Sequence, residues 1–120
     1  MSEEAGANRR ITDEAGSWPG VETGTGDRGE WAFKVGRREI GHLHGDHAAH
    51  FGFPKEVWTR LFEQERITYH PVFPGKQGPA ARRIEAEADV RDVIELMRLN
   101  YDRIVARYGL PAAAAEEVSG

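Results

Sequence analysis

The sequence predicts a single α+β domain, a two-layer sandwich in which two helices pack on one face of a mostly antiparallel sheet. Three observations support this fold class. The length of 120 residues fits one domain. Short segments of alternating apolar and polar residues are separated by turns rich in glycine and proline. A strong helical period lies near the C-terminus, with apolar residues recurring at steps of three and four.

The first half of the chain predicts three strands. Residues 21–25 follow a Trp-Pro-Gly turn, and residues 31–35 alternate bulky with smaller side chains. Gly36 begins a two-residue turn that is typical of a hairpin, so residues 38–44 should return antiparallel. In this third strand Leu43 belongs to the core layer. Strict alternation then predicts Glu39, Gly41 and Leu43 on one side and Arg38, Ile40, His42 and His44 on the other.

The second half predicts two helices and two further strands. Residues 45–50 have no clear period and are interpreted as a loop. Pro54 suits the first position of a helix, where its missing N–H costs nothing. The last helix is capped by Asp89 and ends at Gly109. The predicted elements are a helix over 54–64, strands over 67–73 and 81–86, and a helix over 89–108.

Both ends of the chain are predicted to lie outside the folded domain. Residues 1–16 are polar and show no apolar period, so they are interpreted as a disordered tail. Residues 110–120 follow a Gly-Leu-Pro sequence that stops the last helix, and are interpreted in the same way. The predicted domain therefore covers residues 17–109.

Composition excludes several classes of function. Charged residues make up 30% of the chain with a formal net charge of −4 and no long basic run, which argues against nucleic-acid partners. No apolar run is long enough to cross a membrane. The absence of cysteine excludes disulfides, thiol catalysis and cysteine-type zinc fingers. The N-terminus lacks the basic start and apolar middle of a signal peptide, so a cytoplasmic location is expected.

Four of the five histidines lie between residues 42 and 50. The stretch His42-Leu43-His44-Gly45-Asp46-His47 has the H-x-H-x-D-H pattern of metallo-β-lactamase-like hydrolases. That fold is a much longer four-layer sandwich, and it draws a further histidine and a bridging aspartate from well downstream. Here His70 is the one histidine that follows. The hydrolase interpretation is therefore rejected.

A simpler metal site stays open. Side chains two residues apart on a strand share a face, so His42 and His44 can reach one ion. Asp46 and His47 would add ligands beyond the strand end. We expect a solvent-open groove with no bound metal and no cofactor. Ring nitrogens of His42, His44 and a third ligand within about 4 Å of one point would instead indicate zinc.

A resemblance to a known family covers most of the foldable chain. The stretch Gly36-Arg37-Arg38-Glu39-Ile40-Gly41-His42-Leu43-His44-Gly45 resembles the signature of small bacterial proteins of the "luciferase family". Agreement in order and spacing extends to Pro19-Gly20-Val21, Phe53-Pro54, His70 to Pro74, Asp89-Val90 and Met97 to Arg103. The chain departs at Gln77 to Ala80, where the family usually has an aromatic residue, and His47 and His50 are outside the pattern.

The resemblance implies a fold and the place of a site, but no reaction. The implied binding residues are Glu39, His42, His44 and His70. Two functions remain open. The first is a small binding or interaction module with a histidine-lined groove, for a small molecule or a protein, with a homodimer through the sheet face or edge as one form of it. The second is a small metal-dependent or histidine-based enzyme centred on His42 and His44.

Overall fold

A computed structural model describes residues 6–111 and confirms the α+β fold class. One six-stranded antiparallel sheet has the strand order β1-β2-β3-β4-β6-β5. In the described part of the chain no helix is long and apolar enough to cross a membrane. The elements are α1 (Ala7–Ala15), β1 (Val21–Thr25), β2 (Trp31–Val35), β3 (Arg38–His44), β4 (Ala48–Gly52), α2 (Lys55–Glu63), β5 (Thr68–Tyr69), β6 (Pro79–Arg83) and α3 (Glu87–Tyr108).

The core lies between α3 and the centre of the sheet. Val93 and Met97 on α3 are fully buried, as are Phe33 on β2 and Leu43 on β3. Gly41 lets these layers approach, because a Cβ there would lie 2.9 Å from the Phe51 ring and 3.2 Å from Met97. The strands predicted over 21–25, 31–35 and 38–44 are confirmed at both ends.

A β-bulge in β3 changes which side chains face the helices. Phe33 pairs with Gly41, but the next residue, Lys34, pairs with Glu39, so Ile40 is left without a partner. Ile40 consequently turns into the core and is fully buried. Strict alternation was therefore wrong at three positions. Ile40 lies on the helix side, and so does Arg38, whose guanidinium lies 3.4 Å from the centre of the Tyr108 ring at the end of α3. Glu39 lies on the open face with His42.

The expectation of a disordered tail over residues 1–16 is wrong for residues 7–15, and residues 1–5 lie outside the described residues. Residues 7–15 form α1, which packs against α3 and buries Ile11 and Ala15 completely. The Asp46 carboxylate accepts a hydrogen bond of 2.8 Å from the Asn8 backbone N–H and so caps the helix from the β3–β4 turn. Within residues 6–111 the sandwich thus has three helices instead of the two predicted.

Three further boundaries differ from the sequence prediction. Residues 48–52, expected to be mostly loop, form the central strand β4. The strand predicted over 67–73 shrinks to Thr68–Tyr69, because Pro71 and Pro74 lack the N–H that a ladder needs. The strand predicted over 81–86 is Pro79–Arg83. Of the predicted C-terminal tail, Leu110 packs against the core, and residues 112–120 lie outside the described residues.

The start of α3 also differs from the prediction. Asp89 is not the N-cap of the helix. The helix begins at Glu87, so Asp89 is its third residue. Its carboxylate accepts hydrogen bonds of 2.9 Å from the backbone N–H groups of Glu85 and Ala86. These bonds hold the pKa of Asp89 below its usual value, with Arg82 adding to the effect. Asp89 therefore secures the helix start from inside the first turn.

Candidate functional site

Four histidines meet on the face of the sheet opposite the helices, and we call them the histidine cluster: His42, His44, His50 and His70. His42 and His44 stand two residues apart on β3, on the same face. His50 lies directly across from His42, because β3 pairs with β4 in the register His42↔His50. His70 follows β5, which is the edge strand two places beyond β4. The cluster is thus assembled from two adjacent strands, β3 and β4, and from the residue that follows the edge strand β5.

The rings of the histidine cluster are in contact. Ring centroids are 5.0 Å apart for His42 and His44, 5.2 Å for His42 and His50, and 4.4 Å for His44 and His50. One nitrogen from each of these rings lies within 4.8 Å of the other two. One point therefore lies within about 4 Å of all three nitrogens, which meets the condition set above for a metal centre. Occupied tetrahedral zinc sites separate such nitrogens by about 3.4 Å, so small ring rotations would close the triad.

Glu39 orients the His42 ring. The Nδ1 atom of His42 lies 2.8 Å from a carboxylate oxygen of Glu39, and the His42 side chain is only 20% exposed. When a carboxylate accepts a hydrogen bond from Nδ1–H, the ring is neutral and its lone pair is on Nε2. That lone pair points away from the carboxylate and is available to a ligand. The bulge in β3 is the cause of this contact, since without it Glu39 would point into the core layer.

His50 is the member of the cluster that lacks a partner. Its Nδ1 atom is buried and has no hydrogen-bond partner in the described part of the chain. Burial, followed by the neighbouring His70, His44 and His42 in that order, lowers the pKa of His50 to about 4. His50 is therefore a neutral imidazole at neutral pH, with a lone pair that a metal ion can use.

His70 lies against the cluster with a different hydrogen-bonding role. Its ring centroid is 4.2 Å from that of His50. Its Nδ1 atom accepts a hydrogen bond of 3.1 Å from the Val72 backbone N–H. The neutral ring then carries its proton on Nε2, which makes His70 a hydrogen-bond donor to the site and not a metal ligand. Burial lowers the pKa of His70, with contributions from His42, His44 and Arg28.

The H-x-H-x-D-H string does not form a unit in the structure. Only His42 and His44 contribute to the cluster, while Asp46 caps α1. His47 is an exposed residue of the β3–β4 turn. The third imidazole, His50, comes from the next strand and lies outside the string. This geometry agrees with the rejection of the hydrolase interpretation.

A groove of about 570 Å³ opens beside the cluster, within the usual size range of small-molecule sites. The ladder between β3 and β4 ends at the His42–His50 pair. Beyond it, the Asn100 side-chain amide donates hydrogen bonds to the carbonyls of Ile40 (3.3 Å) and Gly52 (3.0 Å), which lie on the two strands. The groove is lined by Glu39, His42, His50, Phe51, Gly52, Phe53, Pro54, His70, Phe73, Gly78, Pro79 and Arg103.

The structure brings together all four of the site residues predicted from the sequence. Glu39, His42 and His70 line the groove, and the exposed His44 stands beside it in contact with the other rings. Sequence reasoning missed His50, although residues 48–52 alternate with Ala49 and Phe51 on one side. It also missed Arg103, because a helical projection of α3 places this residue on the charged face, opposite the apolar one.

The architecture and the site define a class: a small α+β domain with an imidazole-lined groove on the uncovered face of its sheet. A family model described as Luciferase domain matches residues 37–100, which is more than half of the chain. The protein belongs to this Luciferase domain family. No curated protein and no solved structure matches the chain.

Proposed function

We propose that the protein binds a divalent transition-metal ion of the zinc type through His42, His44 and His50, and presents it to a small molecule in the groove. The single observation that carries this proposal is the placement of one nitrogen from each ring within 4.8 Å of the others. Three imidazoles are an established ligand set for zinc sites that keep a position open to water or substrate.

Two features of the surroundings support a metal site. The buried Nδ1 of His50 has no partner among the described residues, and such an atom is costly unless something satisfies it. Glu39 supplies the carboxylate partner that metal-bound histidines usually have. An ion held there would act as a Lewis acid on a bound carbonyl or water, with the His70 Nε2–H available as a hydrogen-bond donor.

The candidate without a metal is a binding module that uses the same groove, alone or as the contact surface of a homodimer. The observation that favours it is the openness of the histidine face, where His44 is exposed and no second layer lies over the sheet in the described residues. Neutral imidazoles would then serve directly as hydrogen-bonding groups for a ligand.

A zinc titration by calorimetry, on protein freed of metal with a chelator, separates the two candidates. We expect one ion per chain, with affinity falling at least about 100-fold in His50→Ala and in the His42→Ala/His44→Ala double variant. His47→Ala is the matched control, because His47 is an exposed neighbour outside the triad. Equal affinity in all variants, or no binding to the wild type, would reject the metal site and leave the binding module.

A further inference from the structure

Arg103 differs from the other partly buried arginines. Four arginines among the described residues are partly buried: Arg10, Arg66, Arg82 and Arg103. The first three each contact a carboxylate, since Arg10 pairs with Glu87, Arg66 with Asp92, and Arg82 with Asp89. Arg103 has no carboxylate within ion-pair distance in the described part of the chain, although it lines the groove. A partly desolvated guanidinium without an anion is costly, and such cations usually have a partner.

The Arg103 guanidinium is held in a fixed orientation by Asn100. Its Nε and Nη2 atoms donate to the Asn100 Oδ1 atom at 3.2 and 3.0 Å. Asn100 is itself fully buried, and its amide nitrogen is engaged by the carbonyls of Ile40 and Gly52. These bonds occupy one edge of the guanidinium. No described residue bonds to the edge formed by Nη1 and the second hydrogen of Nη2, and this fork matches the two oxygens of a carboxylate.

Apart from the histidines, Glu39 and Arg103, the groove lining is apolar or glycine. Phe53, Pro54, Phe73 and Pro79 form an apolar wall, in which Phe73 is 44% exposed and its ring lies 5.3 Å from that of His70. The one carboxylate in the groove lining is Glu39, and it is already engaged by His42. The groove therefore offers a ligand three kinds of surface: the guanidinium of Arg103, the imidazoles of the histidine cluster, and the apolar wall.

From these contacts we infer that the groove binds a small organic carboxylate with an apolar body, whose carboxylate pairs with the free edge of Arg103. The body lies on the wall of Phe53, Pro54, Phe73 and Pro79, and the remaining functional group faces the histidine cluster. This inference deepens the proposed function and rests on it for the role of the metal. The salt bridge to Arg103 itself needs only the groove.

The test is a set of binding titrations with matched probes. The probes are 3-phenylpropionate, its uncharged analogue 3-phenylpropionamide, and phenyl phosphate, each added to zinc-loaded and to metal-free protein. The variants are Arg103→Met and, as matched control, Arg107→Met, which removes an exposed arginine one turn further along α3 outside the groove. Thermal unfolding of each variant and its zinc affinity are measured in parallel, so that loss of fold or of metal is recognised.

We expect 3-phenylpropionate to bind at least about tenfold more tightly than the amide to the wild type and to Arg107→Met. Arg103→Met should abolish this preference while its zinc affinity stays unchanged. Absence of carboxylate binding, an equal affinity for the amide, or a preference that survives in Arg103→Met overturns the inference. Tighter binding of phenyl phosphate than of the carboxylate overturns the ligand class.

The two proposals fail in different ways. If zinc does not bind the wild type, the proposed metal function is wrong, and the carboxylate-against-amide comparison on the metal-free protein still decides the role of Arg103. If zinc binds and the carboxylate preference is missing, the metal site stands and the inference about Arg103 is wrong.

Discussion

Two groups of ionisable side chains lie on opposite faces of the same sheet, and they differ in how completely their members are paired. On the helix face Arg66, Arg82, Asp89 and Asp92 form what we call the arginine–carboxylate network. Arg82 donates 2.6 Å to Asp89 and lies 3.0 Å from Asp92, which Arg66 also contacts. On the open face the histidine cluster brings four like groups together and leaves the buried Nδ1 of His50 without a partner among the described residues.

The difference separates a structural role from a binding role. Every charge of the arginine–carboxylate network is neutralised by another, and the network ties the start of α3 to the turn before β5 and to β6. A cavity of about 250 Å³ lies over it, but Arg66, Arg82 and Asp89 in its lining are already paired within the network. The histidine cluster has donors and lone pairs that no described residue uses. Unused polar groups in a groove point to a ligand more strongly than the groove alone.

The largest expected effect concerns acid stability of the metal-free protein. The folded-state pKa of His50, about 4, lies below the usual value of 6.5, so the unfolded state binds more protons between these values. Stability is therefore highest above pH 6.5 and falls as the pH drops toward 4, by up to about 3 kcal/mol. Urea unfolding at a series of pH values, with a chelator present, measures this slope.

His50→Gln is the variant that isolates this effect. It should flatten the slope between pH 6.5 and 4, leaving the smaller contribution of His70, whose pKa is also lowered. Asp89 does not contribute to this slope, because its lowered pKa reduces stability only as the pH falls below the usual value of 3.8. An unchanged slope in His50→Gln would mean that His50 is solvated in solution.

The next effect is on the arginine–carboxylate network. Arg82→Met should lower the free energy of unfolding by about 2 kcal/mol at pH 7, because it leaves two partly buried carboxylates with fewer partners. Zinc affinity should not change, since no residue of the network lines the groove. Arg83→Met is the control, because that side chain is 81% exposed, and should change stability by less than about 0.5 kcal/mol. A tenfold loss of zinc affinity in folded Arg82→Met would show that the two faces are coupled.

The smallest effect concerns the carboxylate behind His42. Glu39→Gln should weaken zinc binding by about tenfold, because the amide cannot accept the Nδ1 proton as strongly or raise the basicity of the ring. Glu22→Gln removes the same charge from an exposed position on β1 and serves as the control in the same titration. Equal affinities for the two variants would mean that Glu39 acts only through its charge.

Much of the fold could be predicted because its signals are local. The strands over 21–25, 31–35 and 38–44 follow from alternation and turns, and α3 follows from its apolar period. Helix α1 was missed because Ile11 is its one large apolar residue; the four-residue spacing of Ala7, Ile11 and Ala15 was the available signal. Its stability comes from packing on α3, which no local pattern encodes.

The site was predictable only in part, for two physical reasons. Alternation on β3 places His42 and His44 together, but the bulge that brings Glu39 to the same face depends on pairing with β2. His50 was missed because β4, with its two alanines and a histidine, shows only a weak alternation of apolar and polar residues, so no strand was predicted there. Its position across from His42 is a matter of register between strands, which the sequence alone does not specify.

A crystal structure of the protein with one equivalent of zinc, with anomalous diffraction recorded at the zinc edge, is the decisive experiment for the metal site. We expect one strong anomalous peak, with a ring nitrogen of each of His42, His44 and His50 at about 2.1 Å from it. A further position on the ion should open toward the groove, and His47 should take no part. A peak on His47 or Asp46, or no peak while the three rings keep their present separation, would show that the three histidines do not form a zinc site.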